Sequence, residues 1–307
     1  MSEALIARAR APAADARLAI PGPNIFLPDD LALKTPKDAT HRPVRIRTTP
    51  GLQLWFQQDA TFKVPRADFY FSLRSPLAND SPQHAVLTEL YVKLVNDQLN
   101  EFAYPAYLAG LNYELYKHLR GITVRISGYS DKQAVLLSRV VDALAKPVID
   151  PRRFAIARDE LVRDLKNVEL ETPYRQTTSE INKLLLRPYW TEEERLAALE
   201  ALTAADLGDF VPKLLRQINI VALAHGNLSR TDALASADIL QQRLLASATA
   251  TDVPAGEVLK LPSGEEFVRL LSIDHPDSAL TIYLQGANKS YATQAKTALT
   301  AQIVSTP

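Results

Sequence analysis

The sequence feature that most restricts the fold is an alternation of paired strand-like segments with long amphipathic helices. Residues 52–57 and 67–73 are rich in aromatic and aliphatic side chains, which is typical of two strands. Ser81 and Pro82 form a typical helix start, and apolar residues then recur every three or four positions from Val86 to Leu99. Because a helix with one apolar face must pack on another element, this order predicts an α+β fold, with an antiparallel sheet packed against several helices.

The same alternation continues through most of the chain. Ser130 with Gln133 has the spacing of a capping box, and Asp150 with Pro151 is a second typical helix start. The other predicted elements are a hairpin at 111–118 and 122–127, helices at 174–186, 191–202, 203–215 and 229–245, a strand at 218–225, and a linker at 246–256. Strands at 267–273 and 278–285 and a helix at 289–304 then repeat the opening pattern, so we expect a truncated second β-β-α unit.

The first 51 residues differ from the rest of the chain in composition. Prolines recur through this stretch, and each one removes a backbone donor and biases its neighbour toward extended conformations. A short helix is predicted at residues 2–11, and the rest is predicted to be an extended tail and linker. The prolines are Pro12, Pro21, Pro23, Pro28, Pro36, Pro43 and Pro50.

Composition excludes several classes of protein. The chain has no cysteine, so disulfides, thiolate metal sites and a cysteine nucleophile are ruled out. Its 35 basic and 35 acidic residues give a formal net charge of zero, which argues against nucleic-acid binding. No apolar run approaches the roughly 20 residues of a membrane helix, and residues 1–16 lack the apolar core of a signal peptide. We therefore expect a soluble protein with no nucleic-acid or membrane partner.

No catalytic motif is visible in the sequence. The five histidines are scattered, and no two have the i, i+3 or i, i+4 spacing that places two imidazoles on one helix face. A zinc site assembled from these scattered histidines stays open as the least favoured alternative. Neither a glycine-rich phosphate loop nor a Gly-x-Ser-x-Gly turn is present. We therefore predict no catalytic residue and no metal ligand in this chain, and its substrate-binding residues are unknown.

Several weaker candidates each have a structural alternative that we favour. Acidic residues 192–194 are a possible carboxylate cluster, but negative charge also favours the first turn of a helix. Asp59, beside Trp55 and Phe56, is either a buried acid with a raised pKa or a turn-capping residue. The basic residues Arg42, Arg45 and Arg47 are either a polyanion contact or ordinary solvated charges. Four tyrosines either line a peptide-binding wall or belong to the core, and these are Tyr104, Tyr107, Tyr113 and Tyr116. We interpret His225 as a residue at the edge of the core.

Six short segments, taken together in their order along the chain, resemble one family, the insulinase–pitrilysin zinc metallopeptidases. Each segment alone is weakly specific, but the ordered set covers nearly the whole chain from about residue 20 onward. The segments are Asn-Ile-Phe-Leu-Pro at 24–28, Leu-Trp-Phe-Gln-Gln-Asp at 54–59, Asn-Glu-Phe-Ala-Tyr at 100–104, Ala-Gly-Leu-Asn-Tyr at 109–113, Gly-Tyr-Ser-Asp-Lys-Gln at 128–133 and Ala-His-Gly-Asn at 224–227.

The resemblance implies a particular domain organisation. Members of this family have four homologous α+β domains that form two halves around a chamber. Residues 1–30 resemble the end of the second domain, 31–51 the hinge linker between the halves, 52–257 the non-catalytic third domain, and 258–307 the truncated start of the fourth. The zinc-binding His-x-x-Glu-His motif of the first domain is absent here, and the substrate-binding arginine and tyrosine of the fourth domain would come after residue 307. No functional residue can therefore be carried over.

The resemblance leads to an expected function. We expect a non-catalytic middle-domain portion of a zinc metalloendopeptidase, which forms chamber wall and hinge and meets peptide substrates as part of the complete enzyme. Zinc would belong to the catalytic domain of a complete member, and that parent would be cytoplasmic or periplasmic. Whether this chain is itself an enzyme stays open, and it is predicted to be inactive alone. The alternative is a stand-alone interaction module that pairs with a separate catalytic half.

Overall fold

The computed structural model describes residues 3–10, 22–35, 41–59, 61–288 and 290–305. Within these residues the chain forms α1 (Glu3–Arg10), β1 (Val44–Thr49), β2 (Leu52–Gln58), β3 (Arg66–Arg74), α2 (Pro82–Leu108), β4 (Leu111–His118), β5 (Gly121–Tyr129), α3 (Gln133–Ala145), α4 (Pro151–Asn167), α5 (Pro173–Leu185), β6 (Leu186–Arg187), α6 (Glu192–Glu200), α7 (Ala204–Arg216), β7 (Gln217–Gly226), α8 (Arg230–Arg243), β8 (Thr249–Ala250), β9 (Glu257–Val258) and α9 (Tyr291–Ser305). The predicted helices and the strands up to residue 226 are thus confirmed, within a few residues at their ends. Ser2, Ala11, Pro12, Pro21, Pro36 and Lys289, which also entered the predictions, lie outside the described residues.

The main sheet has the strand order β1-β2-β7-β3-β5-β4, and β8 extends it beside the start of β7. The prediction of an antiparallel sheet is confirmed for β1/β2, β7/β3, β3/β5 and β5/β4. The pairs β2/β7 and β7/β8 are parallel instead. Strand β7 can run parallel to β2 because six helices separate the two strands in the chain, which is long enough for a crossover connection.

One face of this sheet packs against the helices and forms the core. Alternate residues of the central strands are buried, including Leu54, Phe71 and Ile220. Helix α2 contributes the fully buried Tyr91, whose hydroxyl donates to the Leu144 carbonyl of α3 at 2.5 Å. Phe26 from the N-terminal segment also enters this core. The chain therefore builds one continuous core from the sheet, α2 and the helices around it.

The predicted linker regions contain more structure than the sequence indicated. Val44–Thr49 is strand β1, paired with β2, although residues 31–51 were predicted to be an extended linker. Lys34 also ties this region to the fold, because its backbone N–H donates to Asn227 Oδ1 at 2.7 Å and its ammonium pairs with Asp232 at 2.5 Å. Residues 249–250 form β8 within the second predicted linker. The division into domains stays a prediction.

Two local predictions are wrong. Residues 267–273 and 278–285 have no strand pairing, and most of their apolar side chains, such as Leu270 and Leu280 at 86%, are exposed. Alternation makes a segment able to pair, but a strand forms only when a partner edge is available. The capping box of Ser130 and Gln133 is also not formed, because the Ser130 hydroxyl donates to Pro65 O and the Gln133 amide donates to Ala67 O. These long-range acceptors replace the local ones.

Candidate functional site

The second face of the main sheet carries several polar and aromatic side chains in fixed register. Its residues alternate with the core residues along each strand and stay partly exposed to solvent. We call this surface the open sheet face. It consists of Trp55 and Gln57 on β2, Val221, Leu223 and His225 on β7, Asp68, Tyr70 and Ser72 on β3, and Thr123, Arg125 and Ser127 on β5.

Arg125 organises the centre of the open sheet face. Its guanidinium donates to Asp68 Oδ1 from Nε at 2.9 Å and lies 5.1 Å from the centre of the Tyr70 ring. A second carboxylate, Glu114 on β4, contacts Arg125 Nη1 at 3.1 Å. The hydrogen bond to Asp68 raises the pKa of Arg125, and burial raises the pKa of Tyr70. The arginine is therefore charged and the tyrosine is neutral at physiological pH, and the arginine has two carboxylate partners.

Aromatic residues lie on both sides of this centre. Cross-strand register places Trp55, Leu223 and Tyr70 side by side on neighbouring strands. The Arg45 guanidinium lies 5.9 Å from the centre of the Trp55 ring, and the Arg66 guanidinium lies 5.5 Å from that of Tyr129. The arrangement offers flat apolar surface beside fixed charges, which suits contact with an extended peptide.

One contact on this face resembles a catalytic pair. Ser72 Oγ lies 3.0 Å from His118 Nε2. However, the backbone N–H of Arg120 donates to His118 Nδ1 at 3.1 Å, so the imidazole proton is on Nε2 and donates to the serine. The Arg74 Nε–H also donates to Ser72 Oγ, at 3.3 Å. Since burial and the charges of Arg74 and Arg120 lower the pKa of His118, the ring is neutral, and it holds the serine as a hydrogen-bond donor rather than as a general base.

The structure favours the structural interpretation of the acidic candidates. Glu194 and Thr191 form a reciprocal capping box at the start of α6, with hydrogen bonds of 2.8 and 3.2 Å. Asp59 caps a turn by accepting from the backbone N–H groups of Thr61 and Phe62. Burial acts to raise the pKa of Asp59, but its backbone hydrogen bonds outweigh this effect and the pKa lies below the ordinary value. The alternative of a buried acid with a raised pKa is therefore wrong.

The four candidate tyrosines do not form one wall. Tyr113 packs against the core, where burial raises its pKa, while Tyr116 lies beside Thr123 at the border of the open sheet face. Tyr104 and Tyr107 are exposed on α2, at 61% and 64%, so the interpretation as core residues is wrong for these two.

The basic and histidine candidates also have separate positions. Arg47 pairs with Asp238 of α8 at 2.5 Å, so it is not an ordinary solvated charge. His225 is half-buried on the open sheet face, opposite Asp68, rather than at the edge of the core. Among the described residues, no three His, Asp or Glu side chains lie together in a way that could hold a metal ion. The absence of catalytic and metal-binding residues from this chain stays a prediction.

Comparison with known proteins identifies the family. Residues 1–198 match the family described as "Middle or third domain of peptidase_M16". Insulin-degrading enzyme from Homo sapiens is 34% identical over 87% of this chain and 25% of its own length. A Schizosaccharomyces pombe protein whose name describes it as a zinc protease is 34% identical over 70% of this chain and 22% of its own length. The chain belongs to the peptidase M16 family, and the part that matches is its middle or third domain.

A solved structure supports the fold independently. The crystal structure of pitrilysin matches 76% of this chain and 25% of its own chain, with a TM-score of 0.72 and 21% sequence identity. The insulinase–pitrilysin resemblance and the α+β fold class are therefore confirmed. The chain spans about a quarter of the length of the curated human relative. In the part of the chain that the structure describes, no helix is both long and apolar enough to cross a membrane.

Sequence reasoning missed the key residues of the open sheet face. Asp68, Tyr70 and Arg125 were not singled out, although Asp68, Tyr70 and Ser72 alternate with Phe69 and Phe71 along one strand. This alternation was an available signal for one exposed face. The sequence could not indicate that β7 would separate β2 from β3, and this placement brings Leu223 between Trp55 and Tyr70.

Proposed function

We propose that this chain is the non-catalytic middle-domain part of a zinc metalloendopeptidase, and that its open sheet face forms wall of the chamber that encloses peptide substrates. The observation that carries the proposal is the open sheet face itself, where Trp55, Leu223 and Tyr70 adjoin the paired charges of Arg125. The complete protein would hydrolyse peptide bonds with a zinc-activated water held by another domain. The hinge role of residues 31–51 belongs to the same proposal.

Pairing with a separately encoded catalytic half is not favoured. In the human relative the matching region is a quarter of one longer chain. A domain that forms chamber wall within such a longer chain needs no separately encoded catalytic partner. The exposed apolar residues of 267–284 are compatible with contact to further parts of a longer chain.

A cleavage assay and a binding assay together test this proposal. The purified 307-residue chain is incubated with a fluorogenic peptide in the presence of zinc and then of chelator, and no chelator-sensitive cleavage is expected. Binding is followed with an unstructured peptide amide that lacks acidic side chains. The chain has two tryptophans, so Trp190→Phe leaves Trp55 as the reporter on the open sheet face.

Peptide addition is expected to change the Trp55 emission. Leu223→Ser is expected to weaken this response, because Leu223 is the direct neighbour of Trp55. Leu170→Ser is the matched control, since Leu170 is exposed on a short helical turn away from the sheet. Zinc-dependent cleavage by the chain alone would contradict its non-catalytic role, and an unresponsive Trp55 would contradict the contact with peptides.

A further inference from the structure

A cavity of about 570 Å³ lies at the edge of the main sheet, beside β4. It is open to solvent and is bordered by the end of β4, the first half of α2 and the segment that leads into α6. Aromatic walls come from Tyr116, Tyr189 and Trp190, and the Trp190 indole is fixed by donating to Asn79 O at 3.1 Å. The cavity therefore has a rigid apolar side, and its other side carries charge.

The charged side contains two cations and one carboxylate. Arg195 Nη2 lies 2.5 Å from Glu89 Oε2, and Lys117 Nζ lies 3.7 Å from the same oxygen. Arg195 Nε is buried and has no hydrogen-bond partner among the described residues. The cluster of Glu89, Lys117 and Arg195 therefore carries one surplus positive charge and more donors than acceptors.

The surroundings do not cancel this surplus, because the one carboxylate of Glu192, which accepts from the Tyr189 hydroxyl at 3.3 Å, is outnumbered by two guanidinium groups near the cavity wall. Lys93 also lines the cavity, but its ammonium is already paired with Asp164 at 3.3 Å and Glu160 at 3.8 Å. Arg74 and Arg120 lie near the cavity wall at His118, and within the described residues neither has an ion pair with an acidic side chain. Burial and the charge of Arg120 lower the pKa of Arg74, as expected for two cations in proximity. This edge of the sheet is therefore electropositive.

We propose that this cavity binds a carboxylate of a peptide, supplied by its C-terminus or by an acidic side chain. A single negative charge matches the surplus of the cluster, and arginine and lysine are the usual partners of carboxylates. Trp190 and Tyr189 would contact the apolar part of the same peptide. The choice of a peptide as the ligand rests on the proposed function, but the binding site is separate from the centre of the open sheet face, so the two proposals are tested by different measurements.

Tryptophan fluorescence can report on this cavity alone. Trp55→Phe leaves Trp190, which lines the cavity, as the only tryptophan of the chain. Three forms of one N-acetylated short peptide serve as probes: the C-terminal acid, the C-terminal amide, and the amide with one internal glutamate. We expect Trp190 to respond to the acid, to the glutamate form, or to both, and not to the plain amide. The form that binds identifies the source of the carboxylate.

Charge variants in the same background test the role of the cluster. Lys117→Met is expected to weaken binding at least about tenfold, whereas Lys117→Arg keeps the charge and is expected to stay within about threefold. Glu89→Gln is expected to tighten binding several-fold, because a competing carboxylate is removed. A merely structural cluster would not produce this gain. Lys166→Met is the matched control, since Lys166 is an exposed lysine on α4 that does not line the cavity.

The outcomes separate the two proposals. A Trp190 response that requires a carboxylate and Lys117 supports the cavity as a binding site, even if Trp55 is silent. No response to any probe, an equal response to the plain amide, or unchanged binding by a folded Lys117→Met variant would overturn the proposal. Circular dichroism of each variant establishes that the fold is retained.

Discussion

Replacement of Lys117 by methionine is expected to stabilise the folded protein at neutral pH. The Lys117 side chain is 19% exposed and lies in a cluster that already contains Arg195. Burial lowers the pKa of Lys117 from 10.5 to about 8, and the nearby Glu89 only partly opposes this effect. The folded state therefore holds the charged ammonium at a cost in free energy.

The magnitude follows from the pKa difference. At about 1.4 kcal/mol per pH unit, a pKa lowered from 10.5 to about 8 corresponds to a cost of about 3 kcal/mol at pH 7. Methionine keeps a similar length and flexibility without the charge. Glu89 would keep Arg195 as a partner at 2.5 Å, so the substitution leaves no unpaired carboxylate. We therefore expect a gain on the order of 1–3 kcal/mol in the free energy of unfolding.

The sign of the pH dependence provides a stricter test. Below the folded-state pKa of about 8, Lys117 is charged in both states and the full cost is present. Between pH 8 and 10.5 the unfolded state binds more protons than the folded state, so the wild-type protein regains stability as the pH rises. The difference between wild type and Lys117→Met should therefore shrink to about 1 kcal/mol or less near pH 10.

Urea unfolding at pH 7 and pH 10 measures both the gain in the free energy of unfolding and its dependence on pH. Wild type, Lys117→Met and Lys93→Met are compared by linear extrapolation. Lys93 serves as the control because it is more exposed, at 28%, and has two carboxylate partners, so its replacement should give no stabilisation. A Lys117→Met variant that is less stable than wild type at pH 7, or a difference that is equal at both pH values, would refute the reasoning.

Three further substitutions test the packing of the fold, each by thermal or urea unfolding. Gly128→Ala is expected to cost at least about 2 kcal/mol, because φ is +123° and a Cβ would lie 2.0 Å from Gly110 O; a loss below about 0.5 kcal/mol would contradict this. Tyr91→Phe leaves the buried Leu144 carbonyl without its hydroxyl donor and is expected to cost about 1–2 kcal/mol, so an unchanged stability would argue against that bond. Ser229→Ala removes the N-cap of α8 at a cost of about 1 kcal/mol, which Ser229→Thr should largely restore.

Most of the secondary structure could be predicted because its signals are local. Thr191, Thr203 and Ser229 mark helix starts that the structure realises as capping boxes. The apolar spacing after Pro82 likewise predicted the long helix α2. Predictions failed where a long-range partner decided the outcome, as with Ser130 and the unpaired segments at 267–285.

The sequence by itself determined the α+β class, the helix boundaries and the family, since these depend on periodicity, caps and ordered motifs. Tertiary structure alone decided the strand order, because the position of β7 between β2 and β3 depends on pairing across well over a hundred residues. It also decided which charges meet. Glu89, Lys117 and Arg195 are distant in sequence, and only the packing of α2, β4 and α6 brings both cations within 4 Å of the Glu89 carboxylate. Their surplus positive charge is therefore a property of the fold, and no local sequence pattern encodes it.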